Sequence, residues 1–524
     1  MKVESIGKKP AREQGSSILE VLIALAVLTL GISAVIMLVF ANQSLKLDSE
    51  TAGEALYKAK DSLESARADS RLDFALINPI LPFIEDIYTK RVEVETLPDF
   101  FTKKVTSVVT WPSEGGRVQN INLTTLVTNL EGPGGGNTCN SVLLGDWSNP
   151  QKTEYAFGAD ILADTSSGFP ITSMRSFQHK LYVTVHNDNG NNDETFFILD
   201  ISDPTVQPSV LEKTDNNSGV SDGLNDVTLD GVRYAYVANA YSSNFATCVN
   251  VDGTNLDCGQ MQVIDLDSSP PQVVYTYKVP GVTGNNGAGI GTRIFYKDGI
   301  VYLGLAKTSG PEFHIIDVGG GGIPGASPTT PKPLGIFEVN NGINAIFVRN
   351  EYAYLASPHD EELKILSLSN LANPVQVGFY DAPGGGGNNG NGKSLNLVGN
   401  KLYLGRTLLN GNEFYILHNV NPETSLPVLG FKNIKNASNN NTSVNGIIIR
   451  DYLVFLITNE QLQIWRIDDP TSITQYDPDP FLTLPPGSGG GLQGTAADCE
   501  GNYIFVGSQS SNDKGYISII TSSP

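Results

Sequence analysis

The sequence predicts two folds in one chain: an α+β module made of one long membrane helix and a small antiparallel sheet, then an all-β domain of seven similar four-stranded units. Three observations carry this. An uninterrupted apolar run, Val21 to Phe40, lies near the N-terminus. A strand phrase with paired aromatic or apolar residues recurs seven times in the C-terminal three-quarters of the chain, at intervals of about 50 residues with one longer gap. Between the two, Glu131-Gly132-Pro133-Gly134-Gly135-Gly136-Asn137 reads as a flexible linker.

The apolar run is long enough to cross a bilayer as one helix, over about residues 18–40. Glu20 stands at its head. A carboxylate at the edge of such a helix is costly and usually functional. Upstream lies a short basic leader, Lys8-Lys9-Pro10-Ala11-Arg12-Glu13-Gln14-Gly15, followed by Ser16-Ser17-Ile18-Leu19-Glu20. An ordinary secretory signal is cut after its apolar segment and discards it. Here the small-residue junction Gly15–Ser16 precedes the segment, so cleavage there would keep the segment as an anchor. The alternative is an ordinary signal anchor with a stray edge acid.

These residues resemble the N-terminus of type IV pilins and type II secretion pseudopilins. The resemblance implies a leader over 1–15, cleavage by a prepilin peptidase between Gly15 and Ser16, and N-methylation of the new amine. Ser16 stands where many members of the family carry Phe. Glu20, about one helical turn in, is then expected to pair with the amine of a neighbouring subunit and to fix filament register. The segment Gln43 to Ala68 continues the helix, with Leu45, Leu47, Ala52, Ala55, Leu56, Ala59, Leu63 and Ala66 spaced for one face. Strand-like runs follow at Arg91–Val94, Lys104–Trp111 and Arg117–Val127, the last two joined by the turn Pro112-Ser113-Glu114-Gly115-Gly116. A long helix followed by a small sheet is the pilin body plan, expected over 16–130 with a linker at 131–145.

Composition bounds the rest. The chain has 524 residues, 17% charged and 40% hydrophobic, with a formal net charge of −21. That apolar content can fill cores, so the many Gly, Asn and Ser residues mark turns rather than disorder. The acidic balance argues against a head that grips nucleic acid through phosphates. Four cysteines indicate occasional staples rather than a disulfide scaffold.

The recurring phrase appears at Lys180–Val183, Tyr234–Val237, Val301–Gly304, Tyr352–Leu355, Lys401–Leu404, Tyr452–Phe455 and Asn502–Val506. Each is followed by a second strand, such as Phe197–Ile201 or Val263–Leu266. A Pro-bearing turn and another strand usually come next, and a further strand precedes the phrase. Four strands per unit at this length describe a β-propeller blade, so residues 146–524 are expected to form a seven-bladed propeller. A sandwich is the competing architecture. The phrases Ile198-Leu199-Asp200-Ile201-Ser202-Asp203-Pro204 and Val263-Ile264-Asp265-Leu266 resemble the LVIVD propeller repeat.

The seventh unit ends near Ile520 without an outer strand, so Thr153 to Phe157 is expected to supply it, after a turn at Asp146-Trp147-Ser148-Asn149-Pro150. Cys139 and Cys499 would then lie close enough for a bridge that locks the ring, and Cys248 and Cys258 flank a loop as a hairpin staple. Free thiols are the alternative. The longest polar loops, among them His186–Thr195, Asp215–Asn225, Tyr241–Gly259 and Asp381–Ser394, should share one face, directed away from the membrane, where a rigid ring usually binds.

Several motifs tempt. Gly387-Asn388-Asn389-Gly390-Asn391-Gly392-Lys393-Ser394 matches the nucleotide-binding P-loop pattern, but Leu395-Asn396-Leu397-Val398 reads as a strand where that motif needs a helix. Gly387, Gly392, Lys393 and Ser394 are therefore a decoy. Asn187, Asn189, Asn191 and Asp193 could offer oxygens to Ca²⁺ but lack EF-hand spacing, and a solvated turn is the favoured reading. No other cofactor is expected. No nucleophile has an assignable base; a channel-centred glycan-active enzyme is the less favoured alternative, because the inner strands Ala345–Val348 and Gly446–Ile449 are apolar where paired carboxylates would be its mark.

The expected function is thus non-enzymatic: a minor pilin or pseudopilin presenting a propeller for adhesion or surface recognition near a filament tip. It would be a single-pass membrane protein with an extracytoplasmic head before assembly, and part of a filament or cell surface afterwards. Its partners would be the prepilin peptidase, other pilins, the membrane, and a surface, glycan or protein ligand. The alternative is an assembly or secretion scaffold whose head binds minor pilins or cargo.

Overall fold

A computed structural model describes residues 16–72, 77, 79–96, 102–112, 117–128, 138–139, 144–164, 168–186, 194–214, 223–240, 259–280, 282, 289–358, 361–383, 391–398, 400–407, 411–419, 422, 426–476, 481–485, 493–510 and 514–523. The chain divides into two compact units, Met1–Asn129 and Leu130–Pro524.

The first unit is built on α1, Ser16–Leu72, a helix of 57 residues, which spans roughly 85 Å at 1.5 Å per residue. Nothing in its sequence breaks it: there is no proline, and its two glycines, Gly31 and Gly53, meet no neighbouring atom where a Cβ would stand. In the apolar half, Thr29 and Ser33 hydroxyls donate to carbonyls one turn back, Ala26 at 2.9 Å and Thr29 at 2.7 Å, so neither stays unsatisfied. Ile18–Phe40, with mean hydropathy 2.8, is exposed throughout. It is the one helix among the described residues long and apolar enough to cross a membrane.

The C-terminal half of α1 packs on a sheet of order β1 (Ile80–Glu85), β2 (Tyr88–Thr96), β3 (Thr102–Pro112), β4 (Val118–Thr128). Ala55 and Ala59 are buried against Tyr88, Val109 and Trp111, and Leu63 and Ala66 against Val92, Val105 and Val127. Small side chains let the helix lie close to the strands. Leu56 departs from the expected face: it is 47% exposed, because it is rotated about 100° from Ala55 and off the 52/55/59/63/66 stripe. β1 is an additional strand that the sequence reading did not include.

Among the described residues, the second unit contains seven antiparallel sheets. In chain order they span residues 171–214, 224–277, 291–337, 345–380, 392–432, 444–483 and 493–523. Each runs through four successive strands from an innermost one to an outer one, except the last, which recruits its outer strand from upstream. That strand is Asp146–Ala156, antiparallel to Gly515–Ser523, with Tyr516 opposite Ala156 and Ser523 opposite Asp146. The segment Asp146–Pro150, expected as a turn, is therefore already extended. Its Asp146 carboxylate still accepts from the Ser148 amide at 2.8 Å, as Asp200 does from Ser202 at 2.9 Å. The local bond survives while pairing with the C-terminal strand decides the backbone. Thr138–Cys139 adds a short parallel pair, opposite Glu500 and Gly501.

The repeated aromatic of the sequence holds one register position in all seven sheets. Tyr182, Tyr236, Tyr302, Tyr354, Tyr403, Phe455 and Phe505 stand opposite Arg175, Thr228, Phe295, Phe347, Asn396, Ile448 and Asp498 on the innermost strands. All seven are buried. They help to fill seven apolar layers, one between each pair of neighbouring sheets. The seventh layer joins Phe157, Met174 and Phe197 to Phe505, Ile517 and Ile519, so the last sheet packs on the first. This is a β-propeller-like arrangement.

Candidate functional site

Many of the sequence-predicted site residues fall outside the described residues. Ser16 opens α1 and Glu20 lies exposed on it, while Gly15 is outside the described residues. Asn187, Asn189, Asn191, Asp193, Cys248, Cys258 and Gly387 also lie outside the described residues, as do most positions of the long polar loops. Gly392–Val398 is an innermost strand, so Lys393 and Ser394 do not open a helix. Among the described residues there is no cluster of three or more His, Cys, Asp or Glu side chains fit to hold a metal. Cys499 is fully buried and disulfide-bonded, and the backbone of Cys139 pairs two residues further along the same strand, opposite Gly501.

What the fold does bring together is a cavity of about 160 Å³ lined by the innermost strands of all seven sheets. One register position of these strands forms a ring: Thr172, Asn225, Thr292, Asn344, Lys393, Asn445 and Thr495. In five of the seven sheets its side chain donates to a carbonyl at the start of the next sheet's innermost strand. Thr172 reaches Leu224 O at 2.6 Å, Asn225 reaches Gly291 O at 2.6 Å, Thr292 reaches Ile343 O at 2.8 Å, Asn344 reaches Gly392 O at 2.8 Å and Asn445 reaches Gly494 O at 2.8 Å. In the fifth sheet the bond is made one residue on, by Ser394 Oγ to Val444 O at 2.9 Å. Thr495 donates within its own sheet, to Gly507 O at 3.2 Å. The seventh and first sheets are joined instead by Asp498 Oδ2, which accepts from Ser176 N at 2.7 Å, and by Ser176 Oγ, which donates to Cys499 O at 3.0 Å. The polar ring satisfies carbonyls that strand pairing leaves open at the axis.

Charge is concentrated in the same cavity. Asp226 and Asp498, both buried, and the cations Arg175, Arg293 and Lys393 line it. Asp226 is fully engaged: Oδ1 accepts from Ser173 Oγ at 2.6 Å and Val227 N at 3.0 Å, and Oδ2 from Ile294 N at 3.0 Å. Asp498 also accepts from Cys499 N at 3.0 Å. Burial pushes its carboxyl above the ordinary range, with Arg175 the main opposing influence. Burial lowers Lys393, and the neighbouring Arg293 guanidinium lowers it further. Arg293 Nε donates to Asn344 O at 2.5 Å and Nη1 to Thr292 O at 3.1 Å. The expectation of apolar innermost strands holds for Ile346 and Ile447 but not for the cavity as a whole. Its charges come from five different sheets, and no local motif announces their convergence.

No protein-family model matches the chain, and no curated protein matches it. Solved structures similar to it in outline include the following two. One is Raptor from Chaetomium thermophilum, at 11% identity and a TM-score of 0.44, with 68% of this chain covered. This chain spans only 28% of that protein's length. The other is the AfRom2 CNH domain, at 10% identity and a TM-score of 0.37, covering 70% of this chain and 98% of that domain. At these scores neither likeness carries an argument about function.

Proposed function

We propose that the chain is a minor type IV pilin or pseudopilin whose second unit is a closed seven-bladed propeller presented for adhesion or surface recognition. The observation that carries the reading is the course of α1. One unbroken helix starts at Ser16, keeps Ile18–Phe40 exposed, and turns the face of Ala55, Ala59, Leu63 and Ala66 onto a four-stranded sheet. A helix half apolar and exposed, half packed on its own sheet, suits a subunit whose exposed half is covered by a bilayer and then by neighbouring helices. Within Ile18–Phe40, Glu20 is the one ionisable side chain, placed to meet a neighbour's amine. A head of nearly 400 residues would crowd a filament shaft at every subunit, which favours a rare or tip position. Seven similar sheets stacked face to face, the last against the first, support the closed ring.

The deciding experiment is the mass of the mature N-terminal peptide from membrane and sheared-surface fractions. The expected result is a chain beginning at N-methylated Ser16 in the sheared fraction. A chain retaining Met1 and confined to membranes would overturn the pilin reading. Loss of surface attachment on deletion, with filaments intact, is expected for an adhesive head. Loss of the filaments themselves would assign a scaffold role instead.

A further inference from the structure

We propose that the axial cavity of the second unit binds a small oxyanion, a phosphate, sulfate or short carboxylate, held by Lys393 with Arg175 and Arg293. The ring geometry singles out Lys393. Six of the seven ring positions carry Thr or Asn, and five of those stitch one sheet to the next. In the fifth sheet Ser394 makes that bond. The Lys393 ammonium is therefore not needed for closure, yet it lines the cavity and is half-buried there. A structural ring would be served by Thr or Asn at this place. A lysine beside an arginine, in a recess, raises the cost of the empty site and lowers the cost of an occupied one.

The other two cations point the same way. Among the described residues, none of Arg175, Arg293 and Lys393 has a carboxylate within ion-pair distance. Arg175 Nε is buried with no hydrogen-bond partner. The three cations outnumber the two acids that line the cavity, and the acids' oxygens are taken up elsewhere, Asp226 by backbone amides and a serine and Asp498 by the Ser176 and Cys499 amides. So a positive recess lies at the axis of a chain whose net charge is −21. Its volume of about 160 Å³ has room for a tetrahedral oxyanion or a short dicarboxylate together with several waters. Guanidinium forks and an ammonium are the usual donors for such groups. The cavity belongs to the second unit alone, so the inference stands whether or not the N-terminal helix enters a filament.

The test is calorimetric titration of the purified full chain in detergent, in separate arms with inorganic phosphate, sulfate and succinate, at constant ionic strength set with chloride. At least one arm should saturate at one ion per chain, and the arm that does so tells phosphate-type from carboxylate ligands. Lys393→Thr, which restores the ring's own residue type, should keep the far-ultraviolet spectrum and weaken binding about tenfold or more, the effect of one lost charge-assisted contact. Lys393→Gln should behave alike and serves if the threonine variant does not fold. No saturable binding in any arm, or unchanged affinity in a folded Lys393 variant, would overturn the proposal.

Discussion

Arg406 Nη2 donates to Glu362 Oε1 across the junction of the fourth and fifth sheets, and both side chains are 1% exposed. The other Glu362 oxygen accepts from Ala382 N at 2.8 Å, and Arg406 Nη1 donates to Asn412 O at 2.8 Å. Burial pushes Glu362 up to about 7, with Arg406 the main opposing influence. Removing one member of such a pair strands the other. Arg406→Leu should cost about 3–5 kcal/mol at neutral pH. Without its partner Glu362 rises further above its unfolded value, so the folded variant prefers the protonated acid. Stability of the variant is then best at low pH and falls as pH rises. Urea unfolding of native and variant chains should show the gap widening from pH 5 to pH 8. A pH-independent gap would contradict this account.

The same junction depends on a glycine that the sequence presented as part of a nucleotide-binding decoy. A Cβ on Gly392 would stand 2.1 Å from Glu362 O, a backbone atom that cannot swing away. Gly392→Ala should therefore push the fourth and fifth sheets apart, at a cost of about 1–3 kcal/mol. Gly446→Ala is the control, since its Cβ would meet only Ile457 side-chain atoms at 3.3 Å or more. Equal thermal midpoints for the two variants would refute the close approach.

These two cases also show what a single sequence discloses. The aromatic phrases gave away the second strand of every sheet, because Tyr182 and its six counterparts repeat at a fixed period and are buried for the same reason each time. The closing strand was legible from a missing partner near Ile520. Leu56 was misplaced because hydrophobicity alone does not rank two adjacent positions. β1 escaped because its run Ile80-Leu81-Pro82-Phe83 has no alternation and contains a proline. The axial ring was invisible because Thr172, Asn225 and Thr292 are ordinary residues one by one. They become a device only when seven strands converge.

Cys499 is disulfide-bonded, and the strand pairing of residue 139 with residue 501 makes Cys139 the expected partner. Such a bridge ties the chain ahead of the closing strand to the last sheet. A non-reducing digest should yield one linked peptide pair containing residues 139 and 499, and Cys139→Ser should cost a few kcal/mol. Recovery of both cysteines as alkylated thiols under oxidising purification would exclude it.

In the first unit, Glu85 bridges helix and sheet, receiving Lys58 Nζ at 2.6 Å and Lys90 Nζ at 2.7 Å. The hydrogen bond from Lys58, then that from Lys90, hold its carboxyl at about 2. A carboxyl with a depressed folded pKa lends stability that is complete above its unfolded value, about 4.5, and is lost as pH falls toward 2. The helical circular-dichroism signal should therefore unfold at lower urea at pH 3 than at pH 5.5. The difference should shrink in Glu85→Gln. An identical acid loss in that variant would show that other carboxylates account for it.

Glu20 separates a filament subunit from a plain anchor. A lone carboxylate at the head of Ile18–Phe40 makes insertion less favourable, so Glu20→Ala should leave membrane levels equal or higher in either case. In a filament its partner would be the methylated amine of the adjoining subunit, and such a pair sets register more than it adds net stability. The variant should then be processed at Gly15–Ser16 and remain in the membrane, yet be lost from the sheared fraction. Quantifying a peptide of the second unit in both fractions reads this directly. Native levels of Glu20→Ala in the sheared fraction would mean that Glu20 does not direct assembly.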